Sequence, residues 1–266
     1  MITCTLLQSK PAFSGRFDRR VGILIPAFNE AAHLGKLLRA CRALKPALIL
    51  VVDDASVDAT PRILEAEAAD RRSAVPVVGL RNRVNLGKQG SIRRGLRHLI
   101  PADLDAVVLI DGDGQHDPAE LPGLVRLLSR FDFVIGARST LEMPPQRQVS
   151  NWLVNQAMAF IAGVDFGDVQ SGLRVYRKDL ADLLGVRLPR AGRYALEHES
   201  LALLAEHASE EGRRLQAAAA PVSCRYRGSE SRIRPLDVLQ LAFETVRSAL
   251  RLQAADRRPA LREVTA

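Results

Sequence analysis

The chain has 266 residues, 47% of them hydrophobic, enough for one large core and consistent with a single globular domain. Its formal net charge is +8, with arginine well ahead of lysine, which suits anionic partners such as nucleotides, phosphates or an acidic membrane surface. Only 5% of residues are aromatic and no helix-turn-helix, zinc-finger or single-strand-binding signature is present, so no nucleic acid is expected as a partner.

The first 20 residues, MITCTLLQSKPAFSGRFDRR, lack the ordered regions of a signal peptide and read as a flexible arm. Cys4, Cys41 and Cys224 are scattered without metal spacing, which implies free thiols and a cytoplasmic protein. Short apolar runs then alternate with helix-length segments. VGILIP (21–26), ALILVVDD (47–54), VPVVGL (75–80), DAVVLID (105–111) and DFVIGA (132–137) have the composition of strands buried on both faces. Between them, EAAHLGKLLRACRAL spaces its leucines at helical intervals, and DATPRILEAEAADRR opens with Asp58 before Pro61 in a first turn. This alternation predicts a mostly parallel sheet flanked by helices. Ligands of such sheets bind at the carboxyl ends of the strands, where this chain places PAFNE, DDASVD, NRVNLGKQG, DGDGQHD and ARS.

The segment VVLIDGDGQHDP (107–118) sets Asp111, Asp113 and Asp117 just beyond a buried strand. In extended backbone Asp111 and Asp113 point the same way, and a hard divalent cation, Mg²⁺ or Mn²⁺, takes such oxygen ligands. The alternative is a Gly/Asp turn capped by Asp117 ahead of a helix at Pro118. Lys88, where a glycine-bracketed loop enters a helix, is placed for a phosphate.

Taken in order, ILIPAFNE, VVDDASVDAT, NLGKQGSIRRGL, LIDGDGQHDP, VIGAR and DVQSGLRVYR make residues 21 to about 177 resemble the family 2 glycosyltransferases of GT-A fold. Within that family the resemblance is to the dolichyl- and polyprenyl-phosphate sugar synthases related to dolichol-phosphate mannosyltransferase. It implies an α/β, Rossmann-like three-layer sandwich. It also implies an inverting, metal-dependent transfer of a hexose from a nucleotide sugar of GDP-mannose or UDP-glucose type to a polyprenyl phosphate. By the same resemblance Asp111, Asp113 and Gln115 form the metal site. Pro26, Phe28 and Glu30 lie against the base and ribose, Asp54 lies on the base edge with Asp53 or Asp58 sharing that role, and Arg232 lies near the donor diphosphate. Arg138, Arg147 and Ser150 hold the acceptor phosphate, and Asp113 and Arg138 are the residues expected to matter most for catalysis.

The acceptor decides between mechanisms. A phosphate oxygen is already anionic and needs arginines rather than a base. A hydroxyl needs a carboxylate base, for which Glu197, Glu199, Asp165 and Asp168 are candidates. Glu197 and Glu199 lie about 200° apart on a helix, so only one is expected to face inward, and His198 between them reads as a surface histidine. A third reading, a nucleotide-binding protein without turnover, is opposed by the intact aspartate pair with Lys88 and Arg138.

These readings divide the chain into the arm (1–20), a catalytic domain (21–234) with its donor half at about 21–140 and acceptor half at about 141–234, and a C-terminal helix with polar tail (235–266). PVSCRYRGSESRIRP (221–235) reads as an edge strand followed by a basic, mobile loop. PLDVLQLAFETVRSALRL places Leu236, Leu239, Phe243, Val246 and Leu250 on one stripe. That stripe either packs on the catalytic domain or lies in an anionic membrane surface, with Arg247, Arg251, Arg257, Arg258 and Arg262 near headgroups and the protein peripheral at the inner face.

Overall fold

A computed structural model describes residues 2–11, 15–70, 72–139, 143–189, 196–226 and 235–257, without the side chains of 146, 235–241 and 256–257. In chain order the elements are β1 (Ile2–Leu6), β2 (Val21–Ala27), α1 (Leu34–Ala43), β3 (Leu48–Asp53), α2 (Thr60–Ala69), β4 (Val77–Arg81), α3 (Gly87–Leu99) and β5 (Ala106–Leu109). They continue with α4 (Leu121–Arg126), β6 (Phe133–Arg138), α5 (Pro145–Ala162), β7 (Arg174–Arg177), α6 (Lys178–Arg187), α7 (Leu196–Glu210), β8 (Leu215–Val222) and α8 (Pro235–Arg257).

The eight strands form one sheet in the order β1-β8-β6-β7-β5-β2-β3-β4. Every pairing is parallel except those of β7, which runs antiparallel to both β5 and β6. The apolar runs of β2, β3 and β5 are buried on both faces because helices cover both. On one face Leu34, Leu37, Leu38 and Cys41 of α1, Leu64 of α2 and Leu121, Leu124 and Val125 of α4 pack on the sheet. On the other, α3, α5, α6, α7 and α8 contribute Ile92, Met158, Leu184, Leu204 and Leu252 to a second core. The result is the expected three-layer arrangement. Because β7 is reversed, the loop that precedes it, Gln170 to Leu173, returns to the end of the sheet where β5 and β6 deliver their carboxyl-terminal residues.

Two expectations at the sheet edge are corrected. The N-terminal segment is not wholly a flexible arm: Ile2–Leu6 is β1, in parallel register with β8 from Ile2↔Leu215 to Leu6↔Ala219, with Ile2 buried. Lys10 Nζ further fastens this segment to Glu120 Oε1 at 2.9 Å. Residues 221–222 end a strand that is not at the edge, since β8 lies between β1 and β6. The Arg- and Ser-rich segment that follows, with Arg232, lies outside the described residues.

The C-terminal helix is also oriented otherwise than its pattern suggests. α8 buries Thr245, Ser248, Ala249, Leu252 and Ala255, while Phe243, Val246 and Leu250 of the apolar stripe face solvent. Polar partners on α7 cause this. Glu199 accepts from Arg251 Nη1 (2.6 Å) and Arg247 Nη2 (3.1 Å), Glu206 holds Arg251 through two contacts of 2.8 Å, and His198 Nε2 lies 3.3 Å from Thr245 Oγ1. His198 is therefore buried, not superficial. Among the described residues no helix is long and apolar enough to cross a membrane.

Deleting residues 1–7 removes the cover of β8 and the burial of Ile2. The expected cost is about 2 to 4 kcal/mol, read as a fall in Tm of roughly 5 to 15 °C with increased light scattering from the bared edge. An unchanged melting curve would refute a structural role for β1.

Candidate functional site

The site is built from the carboxyl ends of β2, β3, β5 and β6 and from the starts of α3 and α7. Asp111 follows the end of β5, and its two oxygens accept from Lys88 Nζ at 2.8 and 2.9 Å. The same ammonium donates to Glu197 Oε1 at 2.9 Å, so Lys88 bridges two carboxylates. Gly172, in the loop before β7, makes room for this bridge: a Cβ there would overlap the Asp111 carboxylate and lie 2.6 Å from Lys88 Nζ. Gly112 serves the next turn, since its Cβ would stand 2.9 Å from the Pro26 carbonyl oxygen.

Asp113 shares the site under different electrostatics. Burial and then the neighbouring Asp111 charge push its pKa up, only partly offset by the amide of Gln115, which donates to Asp113 Oδ1 at 3.0 Å. Asp111 moves the other way: burial raises it, but Lys88 together with His116 and Arg138 holds it below the ordinary carboxylate range. Lys88 answers in kind, its ammonium held in the charged form by Asp111 and Glu197 against the opposing effect of burial. One carboxylate of the pair is thus neutralised and the other lacks a matching cation, the condition that a divalent ion relieves. The oxygen donors Asp111, Asp113 and Gln115 fit such a hard ion. Among the described residues no three His, Cys, Asp or Glu side chains gather into a ready-made metal cluster.

The nucleotide end departs from expectation in its carboxylates. Asp54 does not present its acid group outward: Oδ1 accepts from Asn82 Nδ2 (2.7 Å) and Leu86 N (2.8 Å), and Oδ2 accepts from Gly87 N (2.8 Å). It occupies the start of α3, where a phosphate was expected, and thereby aims Lys88 at Asp111. Asp53 accepts from Ser56 N at 3.0 Å and pairs with Arg81 Nε at 3.3 Å. Asp58 accepts from Ala31 N (3.1 Å) and Thr60 N (2.9 Å). Together they stitch the loop after β3 to the loop after β2, where Asn29 takes φ +58° and its side chain accepts from Val57 N at 2.9 Å. Pro26 ends the buried run, Phe28 is exposed, and the Glu30 amide donates to Thr60 Oγ1 at 2.8 Å.

On the acceptor side Arg138, at the end of β6, is held by buried Asp168 through Nε (2.7 Å) and Nη2 (3.0 Å), with its own amide on the same carboxylate. Asp168 is thereby excluded as a base, and so is Asp165, an exposed residue whose Oδ1 accepts from Gly167 N at 2.8 Å. Glu199 is buried and faces the arginines of α8, while Glu197, half-buried, faces Lys88. Of the four candidate bases only Glu197 reaches the site. Arg147 on α5 stacks 5.7 Å over the ring of Tyr226, and the Ser150 hydroxyl is turned to its own helix, donating to Arg147 O at 3.2 Å.

Tyr226 was not singled out from sequence. Burial pushes its hydroxyl pKa up and Arg138 partly counters it, and its ring carries the Arg147 guanidinium. His116 and Cys224 were missed too. They join in a backbone bridge beneath the site, and burial holds the His116 imidazole neutral, with Nδ1 lacking a hydrogen-bond partner. A β8 strand ending at the active edge would have pointed to 224–226, but its alanines hid it.

With this geometry in hand the comparisons with known proteins fall into place. The family model for glycosyl transferase family 2 matches residues 22–184. Undecaprenyl-phosphate mannosyltransferase of Micrococcus luteus is 32% identical over 60% of this chain and 67% of its own. Undecaprenyl-phosphate 4-deoxy-4-formamido-L-arabinose transferase of Pseudomonas fluorescens is 33% identical over 72% of this chain, which spans only 58% of that protein. Among solved structures, glucosyl-3-phosphoglycerate synthase of Mycobacterium tuberculosis with Mn²⁺ and UDP-glucose superposes with a TM-score of 0.59 at 21% identity, covering 97% of this chain and 87% of that one. Mannosyl-3-phosphoglycerate synthase of Rubrobacter xylanophilus gives 0.57 at 18% identity, over 93% and 78%. Likeness at this identity establishes the fold, which is GT-A.

The roles of the two aspartates near the reversed strand are separable. Asp168→Ala strands a buried guanidinium and is expected to cost about 3 to 5 kcal/mol, whereas Asp165→Ala should stay within about 0.5 kcal/mol of the parent. Urea denaturation of both variants checks this, and equal effects would contradict the assignment.

Proposed function

The chain belongs to glycosyl transferase family 2, and from that premise we propose that it transfers a hexose from a nucleotide sugar of GDP-mannose or UDP-glucose type to a polyprenyl phosphate, with inversion and with Mg²⁺ or Mn²⁺. The observation that carries the acceptor is the Arg138 guanidinium fixed at the end of β6 by Asp168, with a second arginine, Arg147, seated on Tyr226. Two of the five Arg138 N–H donors go to Asp168 side-chain oxygens, which fixes the guanidinium plane and leaves others for a phosphate. A phosphate oxygen attacks as an anion, so no proton has to be removed. The names of the two curated relatives, both undecaprenyl-phosphate sugar transferases, support the same acceptor.

On the donor side Pro26, Phe28 and Glu30 take the base and ribose. A divalent ion held by Asp111, Asp113 and Gln115 would neutralise charge building on the leaving nucleoside diphosphate. Lys88 keeps Asp111 ionised and brings a further positive charge to the same place. Arg232, from the basic segment after β8, completes the diphosphate contacts. The protein works as a peripheral enzyme at the cytoplasmic face of a membrane, where such acceptors reside. A second reading, a hydroxyl acceptor, is favoured by one fact: Glu197, a carboxylate, reaches the site.

Purified protein with Mg²⁺ or Mn²⁺, a water-dispersed short-chain polyprenyl phosphate and a panel of labelled nucleotide sugars should yield extractable glycolipid, abolished by EDTA. Asp113→Asn is expected to lower turnover by a factor on the order of 100 or more with the fold intact, because an amide is a poor ligand for a hard cation. Near-normal metal-dependent activity would remove Asp113 from the metal site.

Arg138→Ala should cost about 2 to 5 kcal/mol in kcat/KM, while Glu197→Gln, which can still accept from Lys88, should retain activity within about tenfold of the parent. A loss on the order of 1,000-fold in Glu197→Gln with nucleotide-sugar binding preserved would make the hydroxyl acceptor the better reading.

A further inference from the structure

Two helices that pack against each other, α5 and α8, each turn an apolar stripe to solvent. On α5 the core takes Asn151, Val154 and Met158, and the opposite side carries Val149, Trp152, Leu153 and Phe160, the last 90% exposed. On α8 the core takes Thr245, Ser248, Ala249, Leu252 and Ala255, and the opposite side carries Phe243 (65% exposed), Val246 and Leu250. Val149, Trp152 and Leu153 on α5, and Phe243, Val246 and Leu250 on α8, recur at three or four residues, and Phe160 lies two turns beyond Leu153 on the same side, so these are helix faces rather than scattered surface residues. Nothing within the described chain covers them. Large exposed apolar surfaces of this kind mark contact with another protein or with a membrane.

We infer that the α5–α8 face docks on an anionic lipid bilayer and sets the mouth of the acceptor site at headgroup level. This rests on the polyprenyl-phosphate reading, and three observations select the bilayer as occupant. The first is charge: the chain carries +8, and Arg247 on α8 remains 45% exposed while paired with Glu199 and Glu244. An apolar helix face bordered by arginine is the composition of an interfacial helix. The second is position: α5 starts at the site, where Arg147 in its first turn stacks on Tyr226, and the same helix carries the exposed apolar residues on its opposite side. The third is the way α8 is held. Glu199 and Glu206 grip Arg251, and Glu199 also grips Arg247, so ion pairs fix the helix with its phenylalanine, valine and leucine outward, although turning it over would bury them.

The chain contains one tryptophan, Trp152, in the middle of the α5 stripe and 58% exposed, so the full chain carries its own probe. Vesicles of phosphatidylglycerol and phosphatidylcholine, with and without brominated acyl chains, are added to the protein at low salt and at about 0.5 M salt, where screening falls to a few ångströms. The expected result is a blue shift of Trp152 emission and quenching by the brominated chains, weakened by salt and weak on purely zwitterionic vesicles. The double variant Phe160→Glu, Phe243→Glu should lose vesicle affinity by about 100-fold. Its transfer to the water-dispersed short-chain acceptor should stay within about twofold of the parent, which also shows that it folds.

Absence of quenching on anionic vesicles would overturn the inference, as would a double variant that binds vesicles like the parent. A blue shift that grows with protein concentration in the absence of lipid would also overturn it, assigning the face to a second copy of the chain. If vesicle quenching occurs but no polyprenyl phosphate is glycosylated, the docking face stands and the acceptor reading falls.

Discussion

A single ammonium group ties distant parts of the chain together. Lys88 enters from the first turn of α3 and bridges Asp111 at the end of β5 to Glu197 at the start of α7. Everything that places it is local and costly to alter. Asp54 caps the incoming loop by accepting from the amides of Leu86 and Gly87, and Gly172, brought back by the reversal of β7, leaves the space the bridge fills. The alternation continues outward on α7, where Glu199 takes Arg247 and Arg251 and Glu206 takes Arg251 again. Buried charge is tolerated along this path because each group finds an opposite partner at hydrogen-bond distance, as the penalty for an unpaired buried ion requires.

Asp113 is the exception, and the exception is informative. Its pKa is pushed up by burial and by Asp111, while Asp111 is held down chiefly by Lys88 against its own burial. Two carboxylates sharing one cation leave a local deficit of positive charge at the carboxyl edge of the sheet, next to the exposed ring of Phe28 and the turn at Gly112. A hard divalent ion held by these oxygens would relieve that deficit.

The central strands and the Asp-x-Asp turn were legible because each is decided by neighbours in sequence: unbroken apolar runs for β2, β3 and β5, and a two-residue period for Asp111 and Asp113. What escaped was decided by partners far away. β8 is built around four consecutive alanines, with little β propensity, and becomes a strand because β1 and β6 flank it. β1, shorter still, needs β8. The 200° separation of Glu197 and Glu199 held, since only Glu197 reaches the site, while the burial of Glu199 against the arginines of α8 was not legible. The stripe on α8 was legible as a pattern and not as an orientation, since Glu199 and Glu206, about 40 residues earlier, decide which side turns inward. Asp54 was misplaced for a similar reason: a carboxylate beside a strand end can serve a ligand or a helix amide, and the loop at Asn82 to Gly87 takes it.

If the acceptor is a lipid phosphate, as proposed, arginine rather than a base is the economical solution. A free guanidinium in a partly dry pocket would lose hydration and flex among several rotamers. Arg138 avoids both losses because buried Asp168 takes two of its side-chain donors and fixes its plane, while Arg147 is steadied by the Tyr226 ring. The same arrangement serves a hydroxyl acceptor poorly, for two cations lower the basicity of any nearby carboxylate, and Glu197 is already committed to Lys88.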